Sequence, residues 1–318
     1  MMNRPESTLR ERGLSIGPLL WSGVMALGHL VLLLLVVVIW GLTFVATRLA
    51  LDDFTPSQLT ALRFLIAAVP ALFLPRPPLS WRLLIVIGLS LYTGQFLFQF
   101  FGMALGTPPG LSAIVVQTQA LFTILFAALA LGERPTPRQW TGTAVAFAGL
   151  AVIATTVGHD LTMVGLGLTA LSAVSWGIGN VLVKRLPAVD TLPLTVWLSL
   201  VPPLPSLALS ALLDGPRALW TALPAASWLG VGATLYIGLV ATVLGYTIWG
   251  GLLRRYPAAT VAPFALLIPF VAAYASSLAF GERFGAPRLA GMALVLLGLA
   301  VIVAPGAAGV TRLIRRSR

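Results

Sequence analysis

The sequence contains no cysteine. That excludes a disulfide framework, a thiol nucleophile and a cysteine metal site. Charge is scarce as well: 9% of the 318 residues are charged, against about 25% in an ordinary soluble domain. Acid is the scarcer sign, with nine Asp and Glu against 20 Lys and Arg, a net charge of +11. So little charge cannot cover a water-facing surface, which excludes a soluble enzyme and a disordered chain. The basic residues sit in short patches between apolar runs rather than in a stripe, so nucleic acid is not an expected partner. There is no Gly-x4-Gly-Lys-Ser/Thr loop for ATP phosphates. No stretch alternates with the period of two that a membrane barrel needs.

What is present is apolar sequence, 58% of the chain. A bilayer core of roughly 30 Å takes about 20 apolar helical residues. The gaps between charges divide accordingly. Arg12 to Arg48 holds one span, Phe54 to Pro75 one around the lone charge Arg63, and Arg82 to Glu133 two around Thr107-Pro108-Pro109-Gly110. One span each follows in Arg138–Asp160, Asp160–Lys184, Asp190–Asp214, Arg217–Arg254, Arg255–Glu282 and Arg288–Arg312. The expected fold is an all-α integral membrane protein with ten transmembrane helices. The first apolar run is too long for a cleavable signal and ends in Trp40-Gly41-Leu42-Thr43-Phe44, without a small-residue cleavage site. With the N-terminus inside, 15 Lys and Arg fall in cytoplasmic segments and four in outer loops. This bias predicts both termini in the cytoplasm.

The chain also repeats itself. Trp40-Gly41 with Arg48 recurs as Trp176-Gly177 with Lys184, an offset of 136 residues. Leu129-Ala130-Leu131-Gly132-Glu133-Arg134 recurs as Leu278-Ala279-Phe280-Gly281-Glu282-Arg283, an offset of 149. At that offset Gly142 meets Gly291, and Gly149 to Ile153 meets Gly298 to Ile302. The change of offset puts about 13 extra residues in the second half, before its third helix. Two halves of five spans each must face opposite ways, the inverted repeat of many transporters. The expected organisation is a cytoplasmic tail (1–23), a first five-helix repeat (24–158), an inverted second repeat (159–305) and a basic cytoplasmic tail (306–318).

The Trp-Gly starts, the Gly-Glu-Arg ends and the Arg63-Phe64 pair resemble the drug/metabolite transporter superfamily, and within it the EamA-type exporters. The resemblance covers about Val31 to Val303 and extends, less strongly, to the aromatic amino-acid exporters of that family. It implies two inverted five-helix halves, location in a bacterial inner membrane and outward movement of small metabolites. It also implies a cavity among helices one to four and six to nine, with five and ten outside. The first half has no counterpart to Pro263 and Pro269 of the ninth span.

Polar side chains inside a membrane should face a cavity or a partner. Tyr92, Gln95, Gln99 and Met103 share one face of the third span. They can hold an amino-acid head group or join helices. Trp40 and Thr43 in the first span, and Trp176 and Asn180 in the sixth, are candidate lining residues or, for the tryptophans, interfacial anchors. Tyr246 and Trp249 in the eighth span and Tyr274 in the ninth would suit an aromatic or amphipathic ligand. In the fourth span Gln119 and Gln117 point to different faces, so at least one is structural. Arg63 can pair with a substrate carboxylate, snorkel outward or bond helix carbonyls. Pro70 and Pro205, at matching places in the second and seventh spans, with Pro263 and Pro269, are candidate bending points or fixed kinks.

No Asp or Glu lies deep in a span, and neither His29 nor His159 sits at a midplane position. Tight proton coupling is therefore not expected. The expected function is export of neutral or aromatic amino acids by alternating access, facilitated or by exchange, without ATP, metal or cofactor. Efflux of drug-like compounds or nucleotide sugars by the same fold is the alternative. A drug-like cation would favour a cavity carboxylate and a nucleotide sugar several basic residues. An intramembrane transferase lacks the acidic or histidine clusters it would need. The protein is expected as a monomer or homodimer in lipid; the glycines of the tenth span, Gly291 and Gly298, could face a second copy.

Overall fold

The computed structural model describes residues 25–158, 160–187 and 189–303. The two terminal tails and His159 lie outside the described residues. Those residues form helices, with no β-strand among them beyond one isolated bridge, Gly158 to Leu161.

Among the described residues, eight helices are long and apolar enough to cross a membrane: α1 (Leu27–Ala50), α3 (Trp81–Ala104), α4 (Pro109–Leu131), α6 (Met163–Lys184), α7 (Thr191–Leu213), α8 (Trp228–Arg255), α9 (Ala262–Phe280) and α10 (Ala286–Val303). A shorter apolar helix, α2 (Pro56–Leu72), stands between the first two. Between α4 and α6 runs α5 (Pro137–Ala154). A short helix, Ala218–Ala225, precedes α8 and occupies the extra length of the second half.

The helix ends follow local chemistry. Thr55-Pro56-Ser57-Gln58 and Thr136-Pro137-Arg138-Gln139 are complete capping boxes with proline at the start of the helix. Each uses a threonine oxygen and a glutamine side chain to satisfy N–H groups the helix leaves bare. Gly132 and Gly281 end α4 and α9 with φ of 66° each. Their left-handed conformation explains why both copies of the repeated motif carry glycine before the glutamate.

Several helices are interrupted. α3 contains a π-helical stretch at Leu89–Gly94 and α8 one at Tyr236–Leu244. In both, a threonine hydroxyl donates to the carbonyl five residues back: Thr93 to Gly88 at 3.2 Å and Thr242 to Ile237 at 2.8 Å. α2 ends in a 3-10 turn, Val69–Leu72, that contains Pro70. α7 breaks between Leu198 and Pro203, and Pro205 lies in its second stretch. α9 opens with a 3-10 stretch, Ala262–Leu267, holding Pro263, before Pro269 enters the regular helix. α4 is broken at Gln117–Thr118, between Pro109–Val116 and Gln119–Leu131, without any proline.

Glycine lets the helices touch. A Cβ on Gly142 would stand 2.6 Å from the Gly298 carbonyl, and one on Gly149 2.6 Å from that of Gly291. α5 and α10 thus run antiparallel in close contact. This corrects the expectation that Gly291 and Gly298 face a second copy: their faces are filled by α5. Elsewhere Gly41 of α1 abuts Val271 of α9, and Gly177 of α6 abuts Phe122 of α4.

Candidate functional site

One cavity lies where α1, α2, α3, α4, α6, α8 and α9 converge. About 570 Å³ of space lies in it when its open mouth is included. α1 supplies Trp40, Thr43 and Phe44, and α3 supplies Gln95, Phe96 and Gln99. α4 supplies Ala113, Val116 and Gln117 at its break, while α9 contributes Ile268. Single residues close the ring: Arg63 from α2, Trp176 from α6 and Tyr246 from α8.

Arg63 is the charged group of this lining, and it is only 3% exposed. Its Nε donates to the Thr242 hydroxyl at 3.1 Å, so the π-helical stretch of α8 is what orients it. Its guanidinium carbon lies 3.8 Å from the centre of the Phe96 ring and 5.5 Å from that of Phe64. Such contacts stabilise a cation by its attraction to the ring face. Nη1 has no hydrogen-bond partner, and no carboxylate lines the cavity among the described residues. A buried guanidinium nitrogen without a partner is costly. The missing partner is the chemistry that an incoming carboxylate supplies.

The neighbouring polar groups are partly committed. Gln95 Nε2 donates to Gln99 Oε1 at 2.8 Å. Trp40 Nε1 donates to the Ala241 carbonyl at 2.9 Å, and its ring lies 5.2 Å from both Tyr246 and Trp249. Gln117 Nε2 donates to the Ala265 carbonyl at 2.9 Å, which ties the break of α4 to the 3-10 stretch of α9.

The structure thus brings together Trp40, Thr43, Arg63, Gln95, Gln99, Trp176 and Tyr246 of the expected residues. Tyr92 and Trp249 stand one layer behind, their rings against Tyr246 and Trp40. Asn180 and Gln119 bond each other at 2.8 Å, one turn beyond Trp176 towards Lys184. Tyr274 is 70% exposed on α9 and is not part of the lining. Of the two neighbouring glutamines it is Gln117 that faces the cavity. Phe44 and Phe96 complete the lining, and they read as ordinary span residues. Thr242, one turn before Tyr246 on the eighth span, stands behind the lining and holds Arg63. Among the described residues there is no group of three His, Asp or Glu that could hold a metal.

A model of the EamA-like transporter family matches residues 27–155 and again 163–304. The chain belongs to this family. A "probable amino-acid metabolite efflux pump" of Salmonella typhimurium is 39% identical to it, over 86% of this chain and 93% of its own. The protein of that name in Escherichia coli K12 is 37% identical over 86% and 94%. A "probable terminal-alkyne amino-acid exporter" of Streptantibioticus cattleyicolor is 30% identical over 85% and 91%. A crystal structure of 20% identity superposes with a TM-score of 0.56 over 91% of this chain and 98% of its own, a likeness of fold. The chain is therefore a multi-span membrane transporter of this family.

Proposed function

We propose that this transporter exports amino acids, neutral or aromatic ones in particular, across a bacterial inner membrane, by alternating access and without ATP. The single observation that carries the reading is Arg63, the charged residue in a cavity lined otherwise by rings, amides, a threonine and aliphatic side chains, with its buried Nη1 left without a partner. The Arg63 guanidinium receives the substrate carboxylate. Gln99 and Tyr246 face the rest of the head group, and Trp40, Trp176 and Phe96 receive an apolar or aromatic side chain. The names of the relatives support the same substrate class.

Alternating access needs two inverted halves of five spans each, with α2 and α5 crossing as well. Three sets of contacts support this reading, since each maps onto itself when the repeats are exchanged. Gly142–Gly298 becomes Gly291–Gly149, Gly41–Val271 becomes Gly177–Phe122, and Thr93–Gly88 becomes Thr242–Ile237. The twofold match of the family model agrees. The charge bias puts both termini in the cytoplasm. The Glu133 end then faces inward and the Glu282 end outward.

Counterflow in proteoliposomes tests the function. Phenylalanine or tryptophan should exchange with or without a pH gradient. Phenethylamine and tryptamine, which lack the carboxylate, should not. Arg63→Gln should weaken amino-acid binding about 10- to 150-fold, the range for a lost hydrogen bond to a charged group. Amines moving as well as amino acids would overturn the assignment of Arg63. No amino-acid flux under any gradient would overturn the substrate class.

A further inference from the structure

The repeated Gly-Glu motif has two copies, and the structure gives their glutamates different partners. Glu282 is half-buried, and its Oε2 accepts from the backbone N–H of Gly110, at the start of α4, at 3.2 Å. Glu133 is exposed and is salt-bridged to Lys184 at 2.6 Å. The repeat mate of Gly110 is Ala259, and that of Lys184 is Arg48. Arg48 is here paired with Asp52 instead.

The packing is unequal in the same sense. All eight residues of Pro109–Val116 are buried. Of the mate segment, the described residues from Thr260 to Ala265 include one buried residue, Val261. Gly110 fits because it has no side chain: a Cβ there would meet Glu282 Oε2 at 2.8 Å and the Ala273 backbone at 2.9 Å. One end of the cavity is therefore latched and tightly packed while the opposite end is loose, with its glutamate drawn aside.

We propose that Glu133 and Glu282 are alternating latches that exchange partners as the cavity changes the side to which it opens. In this structure Glu282 holds α4 shut and Lys184 keeps Glu133 away. In the opposite state Glu133 takes the backbone N–H of Ala259, and Glu282 moves to Arg48. The proposal rests on the alternating-access reading above. It goes further by naming the groups that close each end and by giving the repeated glutamates a part in transport. Gln117, which links the two helix breaks near the middle, is the fixed point between them.

The absence of native cysteine makes the test clean. The pair Glu133→Cys/Ala259→Cys should form a disulfide in membranes under mild oxidation. Gly110→Ala, which wedges the Glu282 end, should raise its yield. In a second measurement, Val116→Cys at the cavity wall is labelled by a charged methanethiosulfonate from either side of the membrane. Lys184→Gln should raise labelling from the Glu282 side by about two- to fivefold, the effect expected of one exposed ion pair. A glutamate that only braces the fold would leave that ratio unmoved. No disulfide in either background, or an unchanged labelling ratio, overturns the latches. Labelling of Val116→Cys from one side alone, in the parent and in Gly110→Ala, would instead overturn alternating access itself.

Discussion

An arginine inside a membrane has to be solvated by its neighbours, and Arg63 is solvated incompletely. One hydroxyl and two ring faces hold it, and Nη1 is left over. On the proposed reading, a substrate carboxylate would complete the hydrogen bonding of this guanidinium. The sequence made Arg63 conspicuous as the lone charge inside a span, and Trp40, Trp176, Gln95 and Gln99 were legible from helical spacing. Gln117 was not. Its side chain turns to the cavity because α4 breaks at that residue, and nothing local announces the break. Gln117→Leu should keep the side-chain volume but remove one of two donors to the Ala265 carbonyl, which keeps the Ile268 N–H. A cost of about 0.5–1.5 kcal/mol is expected for such a lost hydrogen bond. It would be read as a lower thermal midpoint in detergent together with slower counterflow; an unchanged midpoint would mean that the tie is incidental.

At the scale of helices, ends were easier to read than interiors. The glycines at 132 and 281 stood out in the repeated motif, whereas the capping boxes at Thr55 and Thr136, local devices too, emerged only in the structure. The π-helical stretches in α3 and α8 depend on which neighbours press on each helix, and apolar composition is the same either way. Helix contacts in a membrane rely on small residues rather than on hydrophobic exclusion. The α5–α10 seam is the clearest case here. Gly149→Val would push a branched side chain into the Gly291 carbonyl and the Val295 amide, both within 2.6 Å of the new Cβ. Overpacking of this kind costs about 1–3 kcal/mol. Gly167→Val is the control, since nothing lies within 4 Å of its Cβ. Thermal unfolding followed by tryptophan fluorescence should separate the two variants clearly; equal midpoints would mean that the helices can move apart at little cost.

For the whole molecule, the acidic residue to test among the described residues is Glu282. Burial pushes its carboxyl above the ordinary value and the nearby Asp160 pushes it up further, only partly offset by the hydrogen bond from the Gly110 N–H and by Arg288. A carboxyl whose value is higher in the folded protein than in the unfolded chain costs stability while it is ionised. The cost is full above the folded value and fades as the pH falls through it, because the folded state then binds the proton more readily. Lowering the pH from neutral towards the ordinary carboxylate range should therefore stabilise the parent relative to Glu282→Gln, which carries no such charge. At neutral pH the glutamine variant should be at least as stable as the parent, and the gap should move in the parent's favour on acidification. Midpoints recorded in matched buffers across that interval decide the point. A gap that stays constant would mean that Glu282 is solvated well enough to ionise freely where it stands. If the gap moves, neutralising Glu282 favours the arrangement that buries it, so acidity at that end would bias the proposed latch.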